Sequence, residues 1–338
     1  MAIKRIGSQT VKFQNPPSII STYTIVGPKE GEGPLKDYFD MILEDDMWGQ
    51  ESFEKSEAKI QEEAIKAAIS NGKLTNQDMD YLLAGDLLNQ IVSSTYSARS
   101  LSIPYYGLFG ACSTMTESLS LGAMLIDGGF ADNLVCATSS HFSSAERQFR
   151  FPLEYGNQRK FSAQWTVTGS GATVLSANGN GPYITYATTG KIIDMGVKEA
   201  DNMGAAMAPA AIDTLLTHFK DTGYSPKDYD LIVSGDLGKV GKAIVLELMK
   251  KEGYDLTDIY TDCGVEVFDI QQDTHAGGSG CGCAAVVLNG YIYKEMMKGK
   301  FSRVLVMATG ALHSPTMNQQ GESIPGIAHA ITIDVNKD

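Results

Sequence analysis

Leu74-Thr-Asn-Gln-Asp-Met-Asp-Tyr-Leu-Leu-Ala-Gly-Asp-Leu87 is repeated without a gap by Tyr224-Ser-Pro-Lys-Asp-Tyr-Asp-Leu-Ile-Val-Ser-Gly-Asp-Leu237, 150 positions further along the chain. A second pair of stretches, 129–138 and 300–309, aligns in the same way at a spacing of 171. The chain is therefore expected to contain two copies of one structural unit, with about 21 additional residues between the matching blocks of the second copy.

Each copy begins with a helical pattern and continues through an Asx/Gly turn into a short apolar run, as expected for a buried strand. The residues at helical spacing are Ile60, Ala64, Ile65 and Ala68 in the first copy, and Ala211, Leu215, Leu216 and Phe219 in the second. The first copy then predicts a strand over 105–111, a helix over 114–126 and a strand over 134–138.

Strands that alternate with helices indicate mostly parallel sheets with covered faces. The predicted class is α/β: two duplicated βαβαβ halves about a pseudo-twofold axis, in a five-layer αβαβα core. The predicted boundaries are 1–178 and 179–338, with the hinge near Asn178-Gly-Asn-Gly-Pro182.

Bulk composition excludes several classes of function. A net charge of −13 argues against nucleic acid as a partner and against passive attraction to anionic lipid. The chain shows neither an apolar stretch of membrane-spanning length nor the apolar core of a signal peptide, so synthesis in the cytoplasm is expected. Five scattered cysteines are an odd number and are expected to be reduced.

Cys112 lies in Gly110-Ala-Cys-Ser-Thr-Met, between a predicted strand and a predicted helix. Unpaired N–H groups and the helix dipole at such a position stabilise a thiolate, as a nucleophile for acyl transfer requires. A small buried residue in a tight turn is the alternative.

A glycine-rich loop, His275-Ala-Gly-Gly278-Ser-Gly-Cys-Gly-Cys283, precedes a predicted helix over 284–297. It could bring His275 towards Cys112 as a general base, with Gly278 allowing close approach of a ligand to the backbone. A simple strand-to-helix turn is equally compatible. Phosphate-binding loops have a different spacing and a lysine that is missing here, and Cys281 with Cys283 lacks the second ligand pair of a zinc site.

Polar side chains follow the strand that ends at Thr138: Ser139, Ser140, His141, Arg147 and Arg150. Ligands bind beyond the carboxyl ends of parallel strands, and arginine grips carboxylates through two hydrogen bonds. The segment therefore suits a small carboxylate ligand, although ordinary pairing of the arginines with Glu146 and Glu154 explains it as well. Asp236 ends an equivalent strand in the second copy and could face the same cleft, whereas Asp86 is expected to cap a helix.

The duplicated halves, Gly-Ala-Cys112-Ser and the late His-x-Gly-Gly-Ser-Gly loop together resemble the thiolase and ketoacyl synthase superfamily over essentially the whole chain. Within it, five segments resemble the stage V sporulation protein AD family of spore-forming bacteria: 85–90, 108–114, 137–141, 145–150 and 207–211.

This resemblance implies a homodimer, with a strand from 119–135 at the twofold contact, that binds dipicolinic acid (pyridine-2,6-dicarboxylate) for uptake into the developing spore. It also implies that the protein is made in the forespore and acts together with the membrane-embedded SpoVA proteins at the inner spore membrane. The resemblance implies no cofactor. Whether calcium accompanies the ligand stays open.

Departures from the enzymes of the superfamily make catalysis doubtful. Thiolases carry a second cysteine in a late Cys-x-Gly-Gly motif where this chain has Ala308-Thr-Gly-Ala311, and related synthases place a histidine where it has Ser234-Gly-Asp236. Two hypotheses remain. In the first, Cys112, Ser139, Ser140, His141, Arg147, Arg150, Asp236 and Gly278 line a dicarboxylate site. In the second, the chain is a cysteine-dependent acyltransferase or ketoacyl synthase-like enzyme, with Cys112 acylated from a thioester and His275 as base.

Overall fold

A computed structural model of the protein describes residues 3–149 and 159–337. The strands in these ranges are β1 (Thr10–Lys12), β2 (Ser18–Val26), β3 (Met41–Ile42), β4 (Tyr81–Gly85), β5 (Tyr105–Gly107), β6 (Asn133–Ser140), β7 (Trp165–Thr166), β8 (Gly169–Ser176), β9 (Tyr183–Thr188), β10 (Leu231–Ser234), β11 (Tyr260–Asp262), β12 (Gly278–Ser279), β13 (Arg303–Ala311) and β14 (Gly326–Asp334). The helices are α1 (Pro28–Gly31), α2 (Phe53–Asn71), α3 (Val92–Leu101), α4 (Thr114–Asp127), α5 (Phe142–Phe149), α6 (Met203–Thr222), α7 (Gly238–Lys251), α8 (Cys263–Glu266), α9 (Cys281–Val286), α10 (Tyr293–Met297) and α11 (Pro315–Gln319).

Ten strands form two sets with the same order, β5-β4-β6-β8-β2 and β11-β10-β13-β14-β9. In each set the second strand is parallel to both of its neighbours, and the fourth is antiparallel to both of its own. The sets meet where Ser18 of β2 lies opposite Tyr183 of β9. This arrangement confirms the predicted α/β class with duplicated halves.

The duplication extends to individual hydrogen bonds. Thr75 with Asp78, and Ser225 with Asp228, form matching capping boxes ahead of β4 and β10. The next aspartate of each copy, Asp80 or Asp230, accepts two backbone N–H groups at the start of β6 or β13. These side chains fix each strand beside its partner, which explains why the repeated stretch is so similar in the two copies.

The pairing of the strands shows that the sequence alignment of 129–138 with 300–309 is wrong by one residue. Tyr81 lies opposite Leu134 and Leu231 lies opposite Val304, so β6 and β13 correspond at a spacing of 170 and not 171. A shift of one residue moves every side chain of a strand to the other face of the sheet. Apolar runs buried on both faces, like those of β6 and β13, carry no alternation that would reveal the shift.

Five layers stack in the order helix, sheet, helix, sheet, helix. Helices α2 and α3 cover the outer face of the first sheet, and α6 and α7 cover the second. Helices α4 and α9 lie between the sheets and contact each other. The middle layer is buried along α9, where every residue from Cys281 to Val286 is buried. Both helices therefore begin in the interior, where their first turns can define a site.

Three expectations about elements are corrected. The strand predicted over 105–111 ends at Gly107, because the chain must turn sharply before Cys112. The helix predicted over 284–297 is interrupted by a π-helical stretch, Val287–Ile292. The strand within 119–135 is the start of β6, which lies between β4 and β8, so it offers no edge to a second chain. Among the described strands, β5 is the outermost strand of the first set and has a neighbour on one side only.

In the described ranges, no helix combines the length and the apolar character that crossing a membrane requires.

Candidate functional site

A narrow cleft opens beside Cys112, at the point where the two halves meet. Its walls are formed by Leu87, Phe109, Ala111, Cys112, Ala145, Glu146, Phe149, Thr166, Met203, Ser279, Ala311 and His313. The enclosed cavity has a volume of about 40 Å³. A cavity of this size is a slot that must widen for a ring-sized ligand.

A strained turn delivers Cys112 to this slot. Ala111 adopts a left-handed φ of 50°, which costs a residue with a Cβ roughly 1–2 kcal/mol. The hydroxyls of Ser113 and Thr114 donate to the carbonyl oxygens of Gly110 and Ala111, both at 2.7 Å, and hold the turn closed. Cys112 is thereby fixed just before α4, with 5% of its surface exposed.

Asp236 lies directly behind Cys112 and Ser279 and is fully buried. Its Oδ1 accepts the hydroxyl of Thr309 at 3.0 Å, and its Oδ2 accepts the N–H of Gly280 at 2.9 Å and the hydroxyl of Ser279 at 3.2 Å. The Cys112 thiol is a further hydrogen-bonding neighbour of this carboxyl group. Strand β13, the loop before α9 and the turn before α4 thus converge on one carboxyl group.

A second aspartate holds Asp236 in place. Asp262 ends β11 and accepts the N–H groups of Leu237 and Gly238 at 2.8 and 2.9 Å, as well as the hydroxyl of Ser234. These bonds fix the loop that follows β10. Burial raises the pKa of Asp262, although each of these bonds favours its charged form.

Burial dominates the electrostatics of the Cys112 and Asp236 pair. It raises the pKa of Asp236 to about 7, with nearby Asp262 adding to the rise, while hydrogen bonds from Cys112, Gly280 and Thr309 oppose it. Burial also raises the pKa of the Cys112 thiol well above its ordinary value, and the Asp236 charge raises it further. The position before a helix would favour a thiolate, but these two effects outweigh it.

Sequence comparison identifies the family to which this arrangement belongs. The family described as stage V sporulation protein AD matches residues 7–334. Stage V sporulation protein AD of Bacillus subtilis is 48% identical over 332 residues, which cover 98% of each chain. The chain belongs to the stage V sporulation protein AD family. Its role is therefore in sporulation.

Solved structures show the fold that this family shares with enzymes. OleA from Xanthomonas campestris superposes with a TM-score of 0.62 at 13% identity, covering 95% of this chain and 98% of OleA. The 3-oxoacyl-[acyl-carrier-protein] synthase III of Aquifex aeolicus gives a TM-score of 0.55 at 12% identity, covering 94% and 99%. At these identities the likeness establishes a thiolase-like fold alone.

The three polar residues at the end of β6 support the scaffold and lie outside the cleft wall. Ser139 donates to Glu57 at 3.0 Å, and Ser140 donates to the carbonyl oxygen of Val167 at 2.6 Å. The Nδ1 atom of His141 accepts the N–H of Ser143, which leaves Nε2 to donate to the carbonyl oxygen of Asp46 at 2.8 Å. Burial lowers the pKa of His141, as expected for a neutral structural ring.

Neither arginine of the predicted ligand cluster is shown at the cleft. Arg147 forms an ion pair with Glu54 of α2, and its side chain is 55% exposed. Helix α5 instead turns Ala145, Glu146 and Phe149 to the cleft, so Arg147 lies on another face of the helix. Arg150 lies outside the described residues.

His275 is not placed to serve as the base of Cys112, which corrects the expectation from the glycine-rich loop. Its own backbone is left-handed, with a φ of 52°. The ring lies outside the cleft wall, donates from Nδ1 to the carbonyl oxygen of Lys160 at 2.8 Å and approaches Asp273 at 3.2 Å. Gly278 is buried in β12, where its carbonyl oxygen accepts the side chain of Gln164 and where its neighbour Ser279 reaches the cleft.

Sequence reasoning missed the residues that complete the site, notably Phe109, Ser279 and Thr309. Ser279 was hidden among the glycines of its loop, and Thr309 lies inside an apolar run that predicts only a strand. The Gly-Asp-Leu repeat was the usable signal, because it pointed to Asp236 as the counterpart of Asp86. Asp86 accepts the N–H groups of Leu88 and of Ser94 in the first turn of α3. The N-cap position of α3 is Ile91, so the expectation that Asp86 is an N-cap residue is wrong, although its carboxylate satisfies an N–H group of that turn from outside the helix.

In the described parts of the chain, no group of three or more His, Cys, Asp or Glu side chains is arranged to hold a metal ion.

Proposed function

We propose that this sporulation protein binds dipicolinic acid in the Cys112 cleft for uptake into the developing spore, and that it is not a condensing enzyme. The observation that carries the proposal is the pairing of Cys112 with a buried carboxyl group. An acyl-transfer nucleophile needs a base and a lowered thiol pKa, whereas burial and Asp236 raise the pKa of Cys112.

The walls of the slot suit a flat aromatic diacid. Leu87, Phe109 and Phe149 supply apolar surface for a ring, and Thr166, Ser279 and His313 supply polar groups for its carboxylates. The slot has to widen to admit a ring.

The membrane-embedded SpoVA proteins at the inner spore membrane are the partners that fit this function. Homodimerisation belongs to the same proposal, through the free edge of β5. No cofactor is needed, and titrations with and without calcium will decide whether that ion accompanies the ligand.

Calorimetric titration with dipicolinate, isophthalate and coenzyme A tests the proposal. Dipicolinate should bind more tightly than isophthalate, which keeps both carboxylates but lacks the ring nitrogen, and coenzyme A should not bind. The Ser279 hydroxyl donates to Asp236 in the free protein and has to turn to a ligand carboxylate on binding, so Ser279→Ala should weaken dipicolinate binding by up to about tenfold. Ser143→Ala, on α5 outside the cleft wall, is the matched control. Equal affinities for all three ligands would sink the proposal.

The acyltransferase hypothesis retains one supporting observation, the position of Cys112 at the cleft and just before α4. A mass increase on Cys112 after incubation with acyl-coenzyme A, absent in Cys112→Ala, would establish that alternative.

A further inference from the structure

Asp236 is a buried carboxyl group beside the cleft with no cation among its described neighbours. Its contacts are the hydroxyls of Thr309 and Ser279, the N–H of Gly280 and the thiol of Cys112. The charged group with a main effect on its pKa is Asp262 from β11, another acid, which raises it. Asp236 also interacts electrostatically with the thiols of Cys263, Cys281 and Cys283, which are neutral when protonated.

The described wall of the cleft is equally poor in positive charge. Its ionisable side chains are Cys112, Glu146 and His313, and it contains neither lysine nor arginine. Arg147, which directly follows the wall residue Glu146 in the sequence, forms an ion pair with Glu54. Among the described residues, the carboxyl groups that an anion meets at this cleft are those of Glu146 and, behind Ser279, Asp236.

We propose that the cleft takes up a proton from solvent together with its anionic ligand, and that the carboxylate of Asp236 receives this proton; the inference rests on the proposed binding function. The bound state then contains the ligand anion beside a neutral Asp236. A proton on Oδ1 can be donated to the hydroxyl of Thr309, which lies 3.0 Å away and can accept as well as donate.

Protonation of Asp236 requires little free energy near neutral pH. Burial raises its pKa to about 7 in the free protein, so the carboxyl group is near half protonation there. A ligand anion nearby raises the pKa further in the complex. Uptake is therefore largest between the two pKa values, and it vanishes at lower pH, where Asp236 is already protonated in both states. Binding should weaken above pH 7 by up to about tenfold per pH unit.

Calorimetry with dipicolinate at pH 7.5, in phosphate and in Tris, measures the number of protons taken up. The two buffers differ in ionisation enthalpy, so the difference in observed heat gives the count. Asp236 is already about one quarter protonated at this pH, so we expect about half to three quarters of a proton per bound dipicolinate in the wild type. Asp236→Asn should bring the count close to zero, flatten the pH dependence and bind at least as tightly as the wild type at pH 8.

Control variants separate Asp236 from the other ionisable groups. Glu146→Gln should retain uptake, and His313→Gln, which removes a polar group facing the ligand, should lower the affinity but leave the number of protons per bound ligand unchanged. Undiminished uptake in Asp236→Asn, or its loss in His313→Gln alone, would overturn the assignment. Wild-type binding with no uptake would overturn the inference as well, and loss of affinity in Arg150→Ala would then point to an arginine as the counter-charge.

Failure of the inference is distinguishable from failure of the proposed function, because a complete absence of dipicolinate binding at every pH contradicts the function itself. The Asp236→Asn variant should fold, because the side-chain oxygen of asparagine can accept the Gly280 N–H while its amide group faces the Thr309 hydroxyl. If circular dichroism shows that the variant is unfolded, proton counts on the wild type and on Cys112→Ala decide: both should show uptake, and its absence in either overturns the inference.

Discussion

At the scale of single residues, the most informative comparison is between Asp86 and Asp236. Both end the same Gly-Asp repeat, yet Asp86 accepts N–H groups of its own half, whereas Asp236 accepts donors from β13 and from the loop before α9 and borders Cys112 of the other half. In the first copy the repeated aspartate thus supports a helix, and in the second copy it raises the pKa of a thiol. The environments of the two aspartates differ because different elements pass the ends of β4 and β10.

Replacing Asp236 by Asn should make Cys112 more reactive. The substitution removes the charge that raises the pKa of the thiol, while the larger effect of burial remains. At pH 8 we expect alkylation of Cys112 by iodoacetamide to accelerate several-fold, since one pKa unit changes the thiolate fraction about tenfold. The gain should shrink below pH 7, where Asp236 is increasingly protonated. Peptide mass spectrometry measures the rate.

Two variants control this measurement. Glu146→Gln removes another carboxyl group at the cleft and should accelerate alkylation less, and Cys112→Ala gives the background. Equal rates in the wild type and Asp236→Asn at pH 8 would show that Asp236 does not control the thiol.

At the scale of elements, the sequence predicted the junctions that hold Cys112 and Asp236, but it predicted the contacts of loops poorly. Cys112 and Asp236 were found because each stands at a junction that periodicity and turn residues mark. His275 and Arg147 were misplaced because the direction of a loop or of a short helix depends on left-handed residues and on distant partners such as Lys160 and Glu54. Those partners are far away in the sequence and share no motif with them.

We expect two copies of the chain to associate through the short edge strand β5. Its backbone groups at Pro104 and Leu108 bond β4, so those of Tyr105 and Gly107 point to the open edge. Tyr106 and Phe109 are half exposed there, at 51% and 52%. An unpaired edge flanked by exposed aromatic side chains favours pairing with a second β5. Such an obligate interface should bury at least about 2,000 Å².

Tyr106→Lys should weaken dimerisation at least tenfold, because it places a charge at the paired edge. Sedimentation velocity at micromolar concentration measures the change. Phe161→Lys is the matched control, since Phe161 is a fully exposed aromatic residue remote in sequence from β5. A wild-type monomer, or an equal effect of both substitutions, would exclude this interface.

At the scale of the whole molecule, several buried acids make the folded state sensitive to alkaline pH. Burial raises the pKa of Glu30 and of Glu57 to about 8, and that of Asp236 to about 7. A carboxyl group whose pKa is higher in the folded than in the unfolded chain contributes stability below the unfolded pKa, and this stability is lost as the pH rises through the folded pKa. The capping boxes act in the opposite direction, because hydrogen bonds from Thr75 and Ser225 lower the pKa of Asp78 and Asp228.

Glu30→Gln isolates one of these buried acids. Oε1 of Glu30 accepts the N–H of Thr168 at 2.9 Å, and the amide oxygen of glutamine can keep this bond. Oε2 is buried and has no hydrogen-bond donor, and Oδ1 of Asp46 lies near the same point beside Gly27. The amide group of glutamine can donate there, which a carboxylate cannot do.

The variant should therefore gain stability relative to the wild type as the pH rises. Between about pH 5 and pH 8 the wild type loses up to about 1.4 kcal/mol per pH unit through Glu30, and the variant does not. Guanidinium denaturation at pH 5, 6, 7 and 8 should show curves that diverge by at least about 2 kcal/mol across this range. Glu32→Gln, at an exposed position nearby, controls for the substitution. Parallel curves for the wild type and Glu30→Gln would show that Glu30 is charged in the folded protein, with an unidentified cation or water balancing Oε2.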